Sequence, residues 1–326
     1  MEENNVFLSV KDLTVEYISR GVVVHAVNGV SFDIRKGEAL GLVGETGAGK
    51  TSTAKAILQV LPDVGSRISG GQVFLDGKDL LQVPEKEMQK IRGNVISMIF
   101  QDPMSALNPV HTVIDQIAEC IRFHNKISRA DANARAIKML ETVGITADRA
   151  KEYPHQFSGG MRQRVVIAMA LACEPQLLLA DEPTTALDVT IQAQVLDLIR
   201  ELRKQYETSL LMITHDLGVV AEICDSVAVI YAGQIVEYGS IEQVYDNPMH
   251  PYTQGLFGAL PDLDKDVDRL TPIYGMPPNP SNLPEGCMFH PRCPYATEEC
   301  KKAPVELREA APGHTYRCLM AEKKEA

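Results

Sequence analysis

The sequence predicts an α/β fold with a parallel-sheet core, an antiparallel β subdomain, a helical subdomain and a small C-terminal extension. Three observations lead to this prediction. Roughly residues 6–90 alternate apolar and polar positions, and roughly residues 102–172 place apolar residues at helical spacing. Apolar runs of strand length then return, separated by helix-like stretches.

The first part of the chain has the period-two pattern of half-buried antiparallel strands. The segments "VFLSVKDLTVEYI", "VVVHAVNGVSFDI" and "GGQVFLDGKDL" alternate apolar and polar residues, with turns at Gly and Asp. Such strands bury one face and leave the other to water. We therefore expect an antiparallel subdomain within residues 6–90.

Residues 39–51, "ALGLVGETGAGKT", combine an apolar strand, a glycine loop and the start of a helix. In this context a GxxxxGK[ST] motif predicts a phosphate-binding loop. Gly44, Gly47 and Gly49 let backbone amides converge on phosphates. Lys50 adds a positive charge, and Thr51 offers a hydroxyl to magnesium. A glycine turn that precedes a helix without binding phosphate is the alternative interpretation.

The middle of the chain is predicted to be mainly helical, and it ends in a second glycine-rich helix start. "TVIDQIAECI" and "ADANARAIKMLETVG" show helical spacing. In "SGGMRQRVVIAMALAC", Ser158 can cap a helix. The apolar face of that helix is formed by Val165, Ile167, Ala168 and Leu171. The free amides of such a helix start attract anions, although this stretch alone favours a capped surface helix without a ligand.

Two adjacent carboxylates follow the next apolar run. "QLLLADE", "SLLMITHD" and "VAVIYAG" indicate the strands of an open parallel sheet covered by helices. Asp181 and Glu182 come at the carboxyl end of the first of these strands, beside the place expected for the phosphate loop. Asp181 is expected to hold magnesium. Glu182, pointing the other way on an extended strand, is expected to polarise an attacking water, with a helix cap as the alternative.

The composition changes near residue 247, where the proline-rich segments "NPMHPYTQGLFGALPD" and "PIYGMPPNPSNLPEG" begin. Proline-rich stretches mark boundaries because they break helices and strands. We expect residues 1–255 to form the main domain, with its helical subdomain at about 102–172, and residues 256–326 to form an added extension.

The extension carries four of the seven cysteines, separated by five, six and seventeen residues: Cys287, Cys293, Cys300 and Cys318. This spacing lacks the CxxC pairs of zinc ribbons and the tight run of bacterial ferredoxins. Four thiolates can complete a zinc or an iron-sulfur centre, and unliganded thiols are the alternative. We treat His290 and His314 as bystanders. The remaining cysteines are interpreted as buried free thiols: Cys120, Cys173 and Cys224.

Composition and charge exclude several classes of protein. The chain has 326 residues, 45% hydrophobic content and a formal net charge of −11, which argues against nucleic-acid binding because phosphate contacts need a basic face. No apolar run reaches the roughly 18 to 20 residues that cross a bilayer. The start, "MEENNVFLSV", lacks the basic and then apolar pattern of a signal peptide. We therefore expect a cytoplasmic protein.

In their order along the chain, these motifs resemble those of the ATP-binding cassette (ABC) ATPases, a family of P-loop NTPases. The resemblance covers about residues 6–250 and rests on GETGAGKT, Gln101, SGGMR, LLLADE, "ALD" at 186–188 and "THD" at 214–216. It implies an ABC nucleotide-binding domain at residues 1–255. It also implies that two such domains pair head to tail, each ATP lying between one phosphate loop and the partner's SGG helix.

The resemblance also implies a role for each matching residue. Glu182 becomes the catalytic base and His215 a contact to the γ-phosphate, although a histidine taken alone is more often a core residue. The implied ATP-binding residues are Tyr17, Gly44, Glu45, Thr46, Gly47, Ala48, Gly49, Lys50, Thr51, Ser52 and Gln101. The implied magnesium ligands are Thr51, Gln101 and Asp181. The residues implied to bind the partner's ATP are Ser158, Gly159, Gly160, Met161 and Asp188.

Two of these assignments depart from a simple match. Tyr17 corresponds to the aromatic residue that stacks on adenine, but a tyrosine in a strand is more often a packing residue. Met161 stands where the commonest family pattern has glutamine, whereas Ser158, Gly159 and Gly160 are intact. The part of the motif that faces phosphate is therefore expected to work.

A narrower resemblance concerns the peptide-importer branch of this family. "FQDPMSALNPVHTVIDQI" is similar to the stretch that contacts the coupling helix of the membrane subunits, and "LPEGCMFHPRCPYATEEC" resembles the C-terminal extension of oligopeptide and dipeptide importer ATPases. The resemblance implies import of di- and oligopeptides and a [4Fe-4S] cluster on the four cysteines, with zinc as the alternative. Import of nickel chelates or glutathione, or a soluble ABC ATPase outside transport, remains an alternative.

The same resemblance implies the partners and the location. The partners are a second ABC ATPase subunit, identical or paralogous, two membrane-spanning permease subunits and an extracytoplasmic peptide-binding protein, with no nucleic acid. The chain is expected at the cytoplasmic face of the cell membrane.

Overall fold

The computed structural model describes residues 5–185, 187–259 and 272–321. Ala186, the first residue of the "ALD" motif, and residues 260–262 of the first proline-rich segment lie outside these ranges. No helix within them is long and apolar enough to cross a membrane. The chain forms two compact units. Of the described residues, the helical unit contains those within 5–6, 34–39 and 82–213, and the phosphate-loop unit contains those within 7–33, 40–81 and 214–321.

The described residues form twelve strands and ten α-helices. The strands are β1 (Val6–Ser19), β2 (Val22–Arg35), β3 (Ala39–Val43), β4 (Ser66–Leu75), β5 (Lys78–Asp79), β6 (Ile96–Ile99), β7 (Leu177–Asp181), β8 (Ser209–Thr214), β9 (Ser226–Tyr231), β10 (Gln234–Ser240), β11 (Arg308–Ala311) and β12 (His314–Tyr316). The helices are α1 (Lys50–Ile57), α2 (Glu85–Ile91), α3 (Pro103–Ala106), α4 (Val113–His124), α5 (Arg129–Thr142), α6 (Gly159–Leu171), α7 (Val189–Tyr206), α8 (Leu217–Ile223), α9 (Ile241–Asp246) and α10 (Pro251–Gly258).

The phosphate-loop unit contains the predicted antiparallel subdomain. Its four strands lie in the order β2-β1-β4-β5, and β4 is antiparallel to both of its neighbours. Buried side chains of β1 meet buried side chains of β4, with Leu8 opposite Leu75 and Val10 opposite Val73. The alternation of apolar residues in the sequence corresponds to this buried face.

A second set of strands in the same unit leads to the phosphate loop. β3 is parallel to β9, β9 is antiparallel to β10, and the C-terminal hairpin of β11 and β12 pairs through β12 with β10. Every residue of β3 and β9 is buried. Such strands read as continuous apolar runs because both of their faces are covered. The pairing of β12 with β10 joins the predicted extension to the predicted main domain.

The helical unit holds three parallel strands and the predicted helical segment. β7 is parallel to both β6 and β8, and all residues of the three strands are buried. Within the predicted segment, α4 packs on α5 and α6. Thr112 caps α4 and Ser128 caps α5, each accepting a hydrogen bond from the backbone amide three residues later. These caps set where the helices begin.

Candidate functional site

The phosphate loop connects β3 to α1, as the strand, loop and helix context predicts. Gly49 immediately precedes α1 with a left-handed backbone (φ 105°), and a Cβ there would lie 2.4 Å from the carbonyl oxygen of Ala26. A Cβ on Gly44 would lie 2.2 Å from the carbonyl oxygen of Ile230. Both positions therefore require glycine, because neighbouring backbone approaches too closely for any side chain.

Lys50 lies against the loop in which it occurs. Its side chain is buried, and its Nζ donates hydrogen bonds to the carbonyl oxygens of Gly44 (2.7 Å) and Glu45 (3.2 Å). The ammonium group and the amino end of α1 thus put positive charge at the same place. This arrangement can bind a phosphate chain.

Tyr17 and His215 belong to the same unit as the loop. The Tyr17 hydroxyl lies 3.1 Å from Ser52 Oγ, which places this tyrosine beside the first turn of α1. His215 is exposed and directly follows β8. The next residue, Asp216, caps α8 by accepting hydrogen bonds from the amides of Gly218 and Val219. This cap fixes the backbone around His215.

The structure reveals two contacts to the loop that the sequence analysis missed. The Glu45 amide donates to the hydroxyl of Tyr252 in α10 (2.9 Å), and the Glu45 carboxylate pairs with Arg292 of the extension (2.7 Å). Burial raises the pKa of the Tyr252 hydroxyl, which therefore stays protonated at neutral pH. No sequence signal identifies these partners, because they lie 207 and 247 residues further along the chain.

The helical unit brings together the predicted carboxylates and Gln101. Asp181 is the last residue of β7 and is 2% exposed. The Glu182 carboxylate accepts hydrogen bonds from Gln101 Nε2 (2.8 Å) and Thr185 Oγ1 (2.9 Å). Gln101 follows β6, the strand next to β7, so the two strand ends place these side chains side by side.

The backbone of Glu182 corrects one expectation. The sequence analysis placed Glu182 on an extended strand, but β7 ends at Asp181, and Glu182 has a left-handed backbone (φ 47°). Its amide nevertheless still donates to the carbonyl of Ile213 at the end of β8 (2.8 Å). Asp181 and Glu182 are therefore set apart by a turn of the backbone rather than by strand alternation.

The second glycine stretch begins α6, as predicted. Ser158 caps the helix by accepting a hydrogen bond from the Met161 amide (3.4 Å), and Asp188 caps α7 through the Ile191 amide (3.0 Å). The start of α6, whose cap is uncharged, can attract an anion, whereas the Asp188 carboxylate already places a negative charge at the start of α7. The apolar face is broader than predicted, because Val166 and Ala170 are also buried.

Apolar and polar side chains line a cavity of about 910 Å³ in the helical unit. Its lining includes Met98, Phe100, His111, Cys120, Phe123 and Met169. Phe123 is 68% exposed and Phe100 is 40% exposed, so the lining includes two exposed aromatic side chains. Exposed aromatic groups of this kind mark surfaces that contact another molecule.

The four cysteines of the extension influence one another without forming an assignable metal site. The pKa of the Cys287 thiol is raised to about 11, mainly by burial and to a smaller extent by the thiols of Cys300, Cys293 and Cys318. Among the described residues, no group of three or more His, Cys, Asp or Glu is arranged to hold a metal ion. Of the bystanders, His290 contacts the Cys287 carbonyl oxygen, and His314 contacts Glu237.

Two family matches cover separate parts of the chain. Residues 27–185 match the ABC transporter family, and residues 236–300 match the oligopeptide/dipeptide transporter C-terminal region. The first match contains the phosphate loop, Gln101, the start of α6 and Glu182. The second begins in β10 and ends at Cys300.

Characterised relatives are similar along nearly the whole chain. The dipeptide transport ATP-binding protein DppD of Bacillus subtilis (strain 168) is 48% identical over 319 residues, which cover 97% of this chain and 95% of DppD. The oligopeptide transport ATP-binding protein OppD of Escherichia coli (strain K12) is 49% identical over 320 residues, which cover 98% of this chain and 94% of OppD.

Solved structures share the fold of the cassette. The ATP-binding cassette MJ0796, in a dimeric post-hydrolysis state bound to ADP and Pi, matches with a TM-score of 0.65 and 26% identity, covering 72% of this chain and 98% of that one. The cbiO1 protein of Clostridium perfringens, part of the ABC transporter complex cbiONQ, matches with a TM-score of 0.64 and 26% identity, covering 74% of this chain and 91% of that one. The predicted α/β cassette fold is thereby confirmed.

Proposed function

The chain belongs to the family of ATP-binding proteins of oligopeptide and dipeptide ABC transporters, and we propose that it powers the import of di- and oligopeptides by hydrolysing ATP. The observation that carries this proposal is the identity of 48–49% over nearly the whole length of peptide-transport relatives, including the extension. An alignment of this extent includes both the cassette motifs and the C-terminal region.

We assign nucleotide binding within one subunit to the phosphate loop and Tyr17. Lys50 and the loop amides offset negative charge on the phosphates, and Tyr17 contacts the adenine. Thr51, Gln101 and Asp181 offer the oxygen ligands that Mg²⁺ prefers. Bound Mg²⁺ would neutralise charge on the phosphate oxygens during the reaction.

Hydrolysis is assigned to Glu182 and His215. The Glu182 carboxylate takes a proton from the attacking water, whose oxygen forms a bond to the γ-phosphorus while the bond to the ADP oxygen breaks. Its hydrogen bonds from Gln101 and Thr185 orient the carboxylate. His215 contacts the γ-phosphate and stabilises the negative charge on its oxygens while the group is transferred to water.

The second glycine stretch is proposed to serve the ATP of a second subunit, which is either identical or paralogous. The groups that would contact it are Ser158, Gly159, Gly160, Met161 and Asp188. Binding of two ATP molecules then closes the pair, and hydrolysis reopens it. This arrangement explains why one chain has two glycine-rich helix starts, at α1 and α6, but only one pair of carboxylates, Asp181 and Glu182.

The cavity of the helical unit is the proposed contact for the membrane-spanning permease subunits. Its exposed Phe100 follows β6 and directly precedes Gln101, and its exposed Phe123 lies on α4. A helix of the permease that fills this cavity would lie near Gln101, which contacts Glu182. Peptide movement in the permease would thereby be coupled to the proposed catalytic base. The chain would then lie at the cytoplasmic face of the membrane, and an extracytoplasmic binding protein would deliver the peptide.

A [4Fe-4S] cluster on the four cysteines, with zinc as the alternative, is the remaining part of the proposal. It is supported by the hydrogen bond from the Cys287 amide to the Cys300 carbonyl (2.8 Å) and by the thiols of Cys300, Cys293 and Cys318, which raise the pKa of the Cys287 thiol. We expect anaerobically purified protein to show broad visible absorption that bleaches with reductant, and metal analysis to find iron and sulfide. Zinc in place of iron would show that the four cysteines form a zinc site. Protein without metal would contradict a metal site.

Peptide uptake provides the direct test of the proposed function. The chain is co-expressed with the permease and binding-protein genes of its native host, and uptake of labelled dipeptides and longer peptides is measured with nickel chelates and glutathione as competitors. We expect ATP-dependent uptake of peptides and co-purification of permease subunits in mild detergent. Co-purification of nucleic acid or ribosomes without permease would contradict the proposal.

A further inference from the structure

The C-terminal extension contacts the phosphate loop through a partly buried ion pair. The Arg292 guanidinium donates two parallel hydrogen bonds to the Glu45 carboxylate, Nη1 to Oε2 at 2.7 Å and Nη2 to Oε1 at 3.0 Å. The side chain of Arg292 is 4% exposed, and that of Glu45 is 28% exposed. A paired fork of this kind fixes both side chains in one relative orientation.

Arg292 is also held on its other sides. Its Nε donates to the carbonyl of Tyr274 (3.1 Å) and its Nη2 to the carbonyl of Ile273 (3.2 Å). Nη1 also contacts the Tyr231 hydroxyl (3.3 Å), and the guanidinium carbon lies 5.8 Å from the centre of the Tyr231 ring. Because these contacts come from the extension and from β9, the position of the guanidinium depends on how the extension docks.

The position of Glu45 affects the groups that surround the phosphate site. Its carbonyl accepts hydrogen bonds from Lys50 Nζ (3.2 Å) and from the Ala48 amide (3.1 Å), while its own amide is held by Tyr252. A shift of Glu45 would therefore move the lysine and the loop amides that are proposed to bind phosphate.

The proline-rich segment of the extension covers the same loop. A small cavity is bounded by loop residues 45–48 and by Pro277, Pro278 and Pro280. The His25 amide of β2 donates to the Pro280 carbonyl (2.9 Å), which anchors this segment to the β subdomain. The contact between extension and loop thus does not depend on one side chain alone.

The charges explain why an arginine is needed at this place. Glu45 puts a negative charge inside a loop that is proposed to bind the negative phosphates of ATP, and like charges at short distance repel. Arg292 neutralises this carboxylate, and removing one partner of a buried pair leaves an uncompensated charge. Loss of Arg292 should therefore disfavour ATP through Glu45.

We propose that Arg292 is a positioning residue for ATP binding, which neutralises Glu45 and fixes the phosphate loop from the C-terminal extension. The affinity for ATP is then set partly by the extension. This inference rests on the proposed function of the loop at residues 44–51, since it requires ATP to bind there.

The test compares the dissociation constants of Mg-ATP for full-length variants of the assembled complex. Arg292→Gln is expected to raise the dissociation constant by about fivefold or more. Adding Glu45→Gln to this variant is expected to recover part of the lost affinity, because the unpaired carboxylate is gone while the loop is still not fixed by Arg292. Arg292→Lys keeps the charge without the paired fork. Its dissociation constant is expected to lie between those of wild type and Arg292→Gln.

Arg317→Gln is the matched control. Arg317 is another arginine of the extension, and it donates to the carbonyls of Ile235 and Val305 rather than to the loop. We expect Arg317→Gln to lower the unfolding temperature without changing the affinity for ATP. Wild-type affinity of Arg292→Gln, failure of Glu45→Gln to recover any affinity, or an equal loss in Arg317→Gln would each overturn the inference.

Lys50→Ala separates this inference from the proposed function. If Lys50→Ala binds ATP as wild type does, the assignment of the phosphate loop fails and the inference falls with it. If Lys50→Ala loses ATP while Arg292→Gln binds it normally, the loop assignment stands and only the role of Arg292 is wrong.

Discussion

At the scale of single residues, Glu182 combines a strained backbone with a carboxylate that has two hydrogen-bond donors. A left-handed backbone at a residue other than glycine costs on the order of 1–3 kcal/mol and persists only where neighbours impose it. Here the Ile213 carbonyl holds the Glu182 amide, while Gln101 and Thr185 hold its carboxylate. These contacts hold the carboxylate in one orientation, which the proposed role of catalytic base requires.

Replacing Glu182 by glutamine should separate ATP binding from hydrolysis. The amide keeps the size of the side chain and an oxygen that can accept from Gln101, but it cannot take a proton from water. We expect Glu182→Gln to lower the turnover rate at least about 100-fold while nucleotide affinity is retained. Single-turnover ATP hydrolysis and gel filtration with ATP should show a slow enzyme in a closed pair of subunits. Normal turnover would refute the assignment.

Gly159 and Gly160 are predicted to respond differently to alanine, for reasons visible within one subunit. A Cβ on Gly159 would have Leu187 Cδ2 4.0 Å away, whereas a Cβ on Gly160 would lie 2.5 Å from Ile191 Cγ2. Gly159→Ala should therefore keep or raise the free energy of unfolding, by up to about 1 kcal/mol, because alanine favours helix. Gly160→Ala should lower it.

ATPase measurements complete this comparison. If Gly159 contacts the ATP of a partner subunit, Gly159→Ala should lose ATPase activity despite its intact stability. Full activity of a stable Gly159→Ala protein would exclude a close approach of nucleotide to this helix start.

The sequence analysis identified residues whose chemistry is local in the chain. The spacing of Gly44, Gly49 and Lys50 is enough to predict a phosphate loop, because strand, loop and helix follow one another directly. Arg292 could not be found in this way, since arginine is common on protein surfaces and its partner is 247 residues distant. The residue types around Glu182 also do not predict its left-handed backbone.

At the scale of secondary-structure elements, a buried polar network attaches β12 and the start of α10 to β10. Glu237 in β10 is fully buried, and its carboxylate accepts hydrogen bonds from the amides of Met249 and His250. It also lies 2.9 Å from His314 Nε2 in β12. Buried polar groups are costly unless all partners are present, so this network should be sensitive to the loss of one member.

His314→Ala is expected to destabilise the protein through this network. Removal of one partner leaves the buried Glu237 carboxylate with an unmet hydrogen bond, at a cost of about 1–3 kcal/mol in the free energy of unfolding. Urea unfolding of His314→Ala and of His155→Ala, where the histidine is exposed, gives the comparison. An equal effect of the two substitutions would contradict an energetic role for the Glu237 network.

Element prediction worked where apolar runs are long and failed where strands are short. The fully buried runs of β7, β8 and β9 were identified from composition alone. β6 has only four residues and lies just before the predicted helical segment, so it is too short to show the apolar pattern of a strand. β11 is exposed except at its last residue, Ala311, and its pairing with β12 depends on tertiary contacts.

At the scale of the whole molecule, the candidate catalytic groups come from two compact units. The phosphate-loop unit supplies Tyr17, Lys50 and His215, and the helical unit supplies Gln101 and Glu182. The order of the motifs was enough to indicate the family. It did not show that the extension joins the phosphate-loop unit through β12 and Arg292, because both contacts connect distant parts of the chain.

Mixing two inactive variants tests whether each ATP is bound by two chains. In Lys50→Ala the phosphate loop is disabled, and in Gly159→Ala the helix start that serves the partner is disabled. A mixed pair has one site with both defects and one site with neither, since each site combines the loop of one chain with the helix start of the other. An equal mixture should regain about a quarter of the wild-type ATPase rate, because half of the pairs are mixed and each has one active site. Because the gain requires pairing, it should fall on dilution below the dissociation constant of the pair.

If the natural partner is a paralogous chain, the two substitutions are divided between the paralogues, and the pair should retain about half of its sites. Activity of the mixture that equals the sum of the separate variants at every concentration would show that one chain binds its ATP alone.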